Sequence, residues 1–105
     1  MILLDEQRKL CVINAIKFRY VYDKQRQKFD RQYETYMLTK TPEAIRKAVL
    51  DQIKRGDTLD LYSEQWGMLL LDLKKYIKHN ESTIVMSNLI NDVRDQLATS
   101  YPEVD

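Results

Sequence analysis

His79, Cys11 and a few closely spaced carboxylates are the side chains in this sequence that could take part in catalysis. A histidine can act as a general acid or base, and a thiolate as a nucleophile, when a neighbouring group activates it. His79 is the only histidine and falls in a predicted loop, where the sequence places no partner beside it. Cys11 stands between Leu10 and Val12, where a free cysteine behaves as a small hydrophobic residue. Neither residue predicts a catalytic group.

The carboxylates Asp57, Asp60 and Glu64 follow one another at helical spacing. A di-metal site in a helical bundle would need inward-facing Glu-x-x-His pairs, and the sequence contains none. It also lacks a glycine-rich phosphate loop. We therefore expect no enzyme activity, no metal, no cofactor and no small-molecule substrate.

The elements that would position any site are predicted to be helices. Glycine and proline occur only twice each, whereas strands joined by turns draw on both. Apolar residues instead recur at helical spacing in four segments. The sequence predicts a single all-α domain, either a four-helix up-down bundle or an irregular helical array with a long first helix. The helices are expected at approximately 5–38, 42–55, 58–78 and 82–98.

Several residues mark the predicted helix boundaries. Thr41 is a suitable N-cap, and Pro42 suits the first position of the second helix. The third helix is predicted to begin at Thr58, with Ser63 as an alternative start. Asn80 or Ser82 is expected to cap the fourth helix. Gly67, inside the third helix, costs about 1 kcal/mol in helix propensity relative to alanine, and a close helix crossing would explain its presence.

The first helix is predicted to have two unlike halves. Residues 10–22 are apolar around most of the helix, which indicates burial on more than one side, either in the middle of the fold or in an oligomer interface. Tyr20 and Tyr22 are expected to cap the core. At ~1.5 Å per residue the whole helix would be about 50 Å long, against a diameter of about 26 Å for a compact domain of this size. Residues 24–38, which are basic and rich in tyrosine, are therefore the part that the other helices cannot easily cover.

A protein-binding surface is the function that this uncovered half favours. Tyrosine and arginine are enriched at the centres of protein interfaces. The partner would be another protein or a second copy of the chain, giving a homodimer, and the protein would act as a regulator, an inhibitor or an immunity-type factor. The residues expected to contact the partner are Lys24, Lys28, Phe29, Arg31, Tyr33 and Tyr36.

Nucleic-acid binding is the alternative, because basic residues occur along the first two helices. These residues are Lys17, Lys24, Lys28, Arg31, Arg46, Lys47, Lys54 and Arg55. Asp23, Asp30 and Glu34 are interleaved on the first helix, and the net charge is only +1, so the pattern is less basic than that of a dedicated nucleic-acid binder. A single cysteine and the lack of a long apolar run predict a cytoplasmic protein that does not enter membranes.

Overall fold

The computed structural model of the protein describes residues 1–27 and 41–100. This part of the chain contains two short strands, β1 (Ile2–Leu3) and β2 (Thr58–Leu59), and four helices, α1 (Glu6–Gln27), α2 (Thr41–Arg55), α3 (Ser63–His79) and α4 (Ile84–Ser100). The predicted all-α fold is confirmed. The small sheet was not predicted. No helix in the described ranges has both the length and the apolar character needed to cross a membrane.

The two strands form an antiparallel pair that joins the start of the chain to the segment after α2. Ile2 pairs with Leu59 and Leu3 with Thr58. The backbone N–H of Leu4 then donates to the carbonyl of Asp57 at 2.6 Å. The pairing buries alternate residues, since Ile2 and Leu59 point into the core while Leu3 is exposed. The short apolar start of the chain is thus a strand of the core.

This pairing also explains why α3 begins at Ser63, the later of the two predicted starts. Thr58 and Leu59 are held in extended conformation by β1. The next residue, Asp60, is bonded through both its N–H and its carbonyl to the side-chain amide of Gln52, at 3.0 and 2.7 Å. The helix can begin only after these bonds, and the side-chain oxygen of Gln65 accepts the N–H of Tyr62 just before it.

The starts of α1 and α4 follow ordinary capping chemistry. Asp5 Oδ1 accepts the backbone N–H of Arg8 at 2.8 Å, so α1 begins at the predicted place. Thr83 Oγ1 accepts the N–H of Met86 at 3.1 Å, so Thr83, and neither of the predicted residues, caps α4. The predicted close crossing at Gly67 is not seen among the described helices, because no atom of a neighbouring helix lies within 4 Å of the place where its Cβ would be.

The core is built around α3, which packs against each of the other three helices. Trp66, Leu69 and Leu73 are almost fully buried along one face of α3, as their spacing predicts. Val12 and Ala15 of α1 are also buried in this cluster. The remaining buried members are Ile2, Leu4, Ile16, Val49, Ile53, Leu59, Leu61, Leu70, Met86, Leu89, Ile90 and Val93.

Within the single chain, the described part of α1 is buried on one side only, which corrects the prediction that residues 10–22 run through the middle of the fold. Burial of its other side in an oligomer interface stays a prediction. Leu10 is 56% exposed, Tyr20 43% and Val21 54%, whereas Val12 is fully buried. Val21 lies nine residues after Val12, about two and a half turns at 3.6 residues per turn, and so faces away from the core. Tyr22, by contrast, is half-buried, as expected for a residue at the edge of the core.

Candidate binding groove between the first and second helices

An apolar groove of about 440 Å³ lies between α1 and α2. Ile16 is buried and belongs to the core, and Leu50 is half-buried and packs against the core. Tyr20 and Val21 line the same groove yet are largely exposed. Among the described residues, the groove is lined by Ile16, Lys17, Tyr20, Val21, Arg46, Lys47 and Leu50. Large apolar side chains are therefore presented to solvent within a concave surface.

The rim of the groove is basic. Lys17 on α1 and Lys47 on α2 are both exposed, and no ion pair among the described residues uses either of them. No acidic side chain in the described ranges lines the groove. The nearest in sequence is Asp51, which is half-buried beside Leu50. The groove thus combines an apolar surface with ammonium groups on both sides.

A buried cluster of charges beneath the groove, which we call the Arg46 junction, consists of Arg19, Asp23, Arg46 and Asp72. Arg46 donates through Nε and Nη2 to the two carboxylate oxygens of Asp72, at 2.8 and 3.0 Å. Its Nη1 donates to Asp23 Oδ2 at 3.1 Å, and Arg19 Nε donates to Asp23 Oδ1 at 3.0 Å. The paired, planar geometry of the Arg46–Asp72 contact makes it a strong and directional one. These bonds connect α1, α2 and α3.

The junction is buried enough to change the titration of one member. Asp72 is 1% exposed, and this burial raises the pKa of its carboxyl above the ordinary value, although the Arg46 guanidinium acts in the opposite direction. None of the buried side-chain nitrogen and oxygen atoms in the described residues lacks a hydrogen-bond partner. A buried cluster whose charges are paired and bonded holds helices together, and it leaves no group aimed at a substrate.

His79 and Cys11, the residues considered for catalysis, lie outside the groove and outside the Arg46 junction. His79 ends α3 with its ring 5.7 Å from that of Phe18 and 5.8 Å from that of Tyr22, measured between centroids. Burial is the main reason that the pKa of the Cys11 thiol is raised, which disfavours the thiolate. Within residues 1–27 and 41–100, no group of three or more metal-ligating side chains is close enough to hold an ion.

Most of the residues predicted to contact a partner lie outside the described residues. Lys24 is the exception: it is exposed, and its ammonium nitrogen lies 5.4 Å from the centre of the Tyr20 ring. The predicted contacts outside the described ranges are Lys28, Phe29, Arg31, Tyr33 and Tyr36. The structure therefore describes a different apolar surface, one helical turn before Lys24.

Not all of the basic residues predicted for nucleic-acid binding are exposed to a ligand. Arg46 is buried and bonded to Asp72 and Asp23, so its guanidinium is engaged inside the protein. Lys17, Lys24, Lys47, Lys54 and Arg55 are exposed. Nucleic-acid binding therefore stays a prediction that would rest on these exposed residues.

Sequence reasoning missed the groove because it assigned residues 10–22 to the core as a block. The signal was present in the angular positions. Val21 falls opposite Val12 on the helix, beside Lys17 and Lys24 rather than among the core residues. Comparison of the chain with protein-family models, curated proteins and solved structures found no match. Geometry is therefore the basis on which a function can be proposed.

Proposed function

We propose that this is a small non-enzymatic interaction module that binds another protein in the groove between α1 and α2. The proposal keeps the expectation that the first helix carries the contact surface, and it shifts the centre of that surface toward Tyr20 and Val21. Regulation or inhibition of the partner, in the cytoplasm, is the kind of role that such a module would have.

The exposure of Tyr20 and Val21 inside an apolar groove is the observation that carries the proposal. Isolated exposed apolar residues are common on protein surfaces, but here two of them share a concavity with Ile16 and Leu50. A tyrosine can bury its ring against a partner while its hydroxyl stays in water. Covering these side chains would remove apolar area from water and favour binding by about 25 cal/mol per Å².

The Arg46 junction supports the same proposal because it holds the groove in shape. Its bonds fix α2 against α1 and α3 directly under the binding surface. A groove held by buried bonds loses little conformational entropy when a partner enters, and the affinity is correspondingly higher. We expect a rigid receptor surface rather than one that forms only on binding.

A matched pair of variants tests the groove. Val21→Gln places a polar group in it, while Leu71→Gln makes the same change at a residue of α3 that is similarly exposed, at 56%, and lies outside the groove. Wild type and both variants, checked by circular dichroism for equal folding, serve as baits in native lysate, with quantitative mass spectrometry of the captured proteins. We expect Val21→Gln alone to lose the partner, by about tenfold or more, a difference of about 1.4 kcal/mol. Equal capture by all three baits would contradict the proposal.

Self-association is the version of the proposal in which the partner is a second copy. Light scattering of the purified protein at high micromolar concentration measures it directly. A dimer that dissociates in Val21→Gln and persists in Leu71→Gln would identify the groove as the contact between copies. A strict monomer in wild type would exclude the homodimer and leave a different protein as the partner.

A further inference from the structure

We propose that the groove between α1 and α2 accepts an acidic amphipathic helix from another protein. This inference rests on the proposed function and adds the chemistry of the partner. The groove is concave and lies between two helices, which suits the mode in which an amphipathic helix lays its apolar face into a hydrophobic groove. The apolar residues of the incoming helix would contact Tyr20, Val21, Ile16 and Leu50.

The basic character of the rim determines the charge of that partner. Lys17 and Lys24 lie seven residues apart on α1, and Lys47 and Lys54 lie seven apart on α2, so each pair shares one face of its helix. All four lysines are exposed, and no ion pair among the described residues uses them. An incoming helix therefore meets ammonium groups on both of its flanks.

Arg46 and Asp51 lie close to the rim and change the size of its positive potential without reversing the sign. Arg46 lines the groove, but Asp72 and Asp23 beneath it offset its positive charge. Asp51 lies between Lys47 and Lys54 in the sequence and lowers the positive potential on the α2 side. Among the described residues the balance of charge at the rim is positive, so carboxylates on the polar flanks of the partner would be attracted and lysines repelled.

The phosphates of a nucleic acid would pair with the lysines, and a base could stack on Tyr20, but the aliphatic part of the groove would be left unfilled. Phosphates need cations alone, whereas this rim surrounds a groove formed by Ile16, Val21 and Leu50. A helix that carries both apolar residues and carboxylates satisfies both features at once. The combination therefore favours an acidic helix.

Two synthetic peptides provide the test. They carry leucines at the same positions of one helical face, and they differ only in having glutamate or lysine at every charged position. Fluorescence anisotropy gives their affinities for the full chain, and amide chemical shifts measured by NMR locate where they bind. We expect the glutamate peptide to bind wild type about tenfold more tightly than the lysine peptide, with shifts centred on Tyr20 and Val21.

Charge reversal sharpens this result. In Lys17→Glu/Lys47→Glu the preference should invert, so that the lysine peptide binds more tightly. Lys74→Glu/Lys78→Glu changes the net charge equally at two exposed residues of α3 outside the groove, and it should keep the wild-type preference. If the reversed variant fails to fold, Lys17→Gln/Lys47→Gln should still abolish the preference. A preference that survives neutralisation of these two lysines would overturn the inference.

The other outcomes separate this inference from the proposed function. If both peptides bind the groove equally, the acidic partner is excluded while a groove that binds protein remains. If neither peptide shifts Tyr20 or Val21, the inference fails, and the lysate capture with Val21→Gln still decides the proposed function independently. If an oligothymidine is instead the better ligand, it would displace the glutamate peptide, and its own affinity would be the same for wild type and for Val21→Gln. That pair of results would overturn the inference in favour of nucleic acid. Displacement by a second copy of the chain would overturn it in favour of a homodimer.

Discussion

Arg46 and Lys47 are consecutive residues of one helix with opposite surroundings. Arg46 is 5% exposed, and its guanidinium bonds to carboxylates from α1 and α3. Lys47 is exposed and joins no ion pair among the described residues. The side chains are about 100° apart around the helix, since one turn holds 3.6 residues. This rotation separates a buried structural contact from a surface that is available for binding.

The comparison shows that charge alone does not identify a functional residue. Both side chains are cations beside the same groove, but burial makes Arg46 costly to disturb and exposure leaves Lys47 free to meet a partner. Removing water from a charge is expensive, and the carboxylates of Asp72 and Asp23 offset that cost for Arg46. Two predictions test the difference between buried and exposed positions, and a third tests the helix that supplies Asp72, in order of expected effect.

Replacement of Arg46 should have the largest effect on stability. Arg46→Met leaves Asp72 buried without its guanidinium partner and removes one of the two guanidinium groups bonded to Asp23, so we expect a loss of about 3–5 kcal/mol in the free energy of unfolding. Lys47→Met is the control at the adjacent exposed position and should change it by no more than about 0.5 kcal/mol. Urea unfolding followed by circular dichroism measures both. Similar transition midpoints for the two variants would mean that the buried bonds contribute little.

The two valines of α1 give a second, smaller contrast. Val12→Ala removes buried methyl groups, at about 0.8 kcal/mol per buried carbon plus a cavity term, so we expect a loss of about 2 kcal/mol. Val21→Ala, at a residue 54% exposed, should stay within about 0.5 kcal/mol of wild type. The same unfolding experiment applies. If Val21→Ala were as destabilising as Val12→Ala, residue 21 would belong to the core and the groove would not be open.

The smallest expected effect is an increase in stability, from a substitution at Gly67 on α3, the helix that supplies Asp72. Because no atom of a neighbouring described residue lies within 4 Å of its missing Cβ, Gly67→Ala meets no obstacle in the described part of the chain. The change should raise the free energy of unfolding by about 1 kcal/mol through helix propensity. A rise in melting temperature would show it. A fall would mean that another part of the protein contacts this position.

The parts of the fold that follow helical periodicity could be predicted from sequence. Trp66, Leu69 and Leu73 repeat at three- and four-residue spacing, and they form the buried face of the central helix. The pairing of Ile2 with Leu59 could not be predicted in this way, because it joins two short segments that are distant in the chain and carry no strand pattern of their own. Local pattern identifies helices well and long-range pairing poorly.

The candidate site was only partly predictable for a related reason. The sequence indicated that the first helix carries apolar residues on more faces than the core needs, but it did not show which residues α2 would approach. Val21 and Leu50 come together only through the packing of two helices. Likewise, the charge on Asp23 suggested an exposed residue of an ordinary surface pair, whereas Arg46 and Arg19 allow it to be fully buried.

The planar guanidinium of Arg46 also determines the rotational setting of α2. Two parallel bonds to Asp72 are satisfied over a narrow range of angles about the helix axis, unlike the contact of one apolar side chain with another. Together with the buried Val49 and Ile53, this contact turns one face of α2 inward, while Lys47 and Leu50 line the groove. The buried bonds between Arg46 and Asp72 therefore help to decide which residues of α2 are exposed in the groove. A partner that binds the groove would recognise an orientation of α2 that depends on contacts inside the protein.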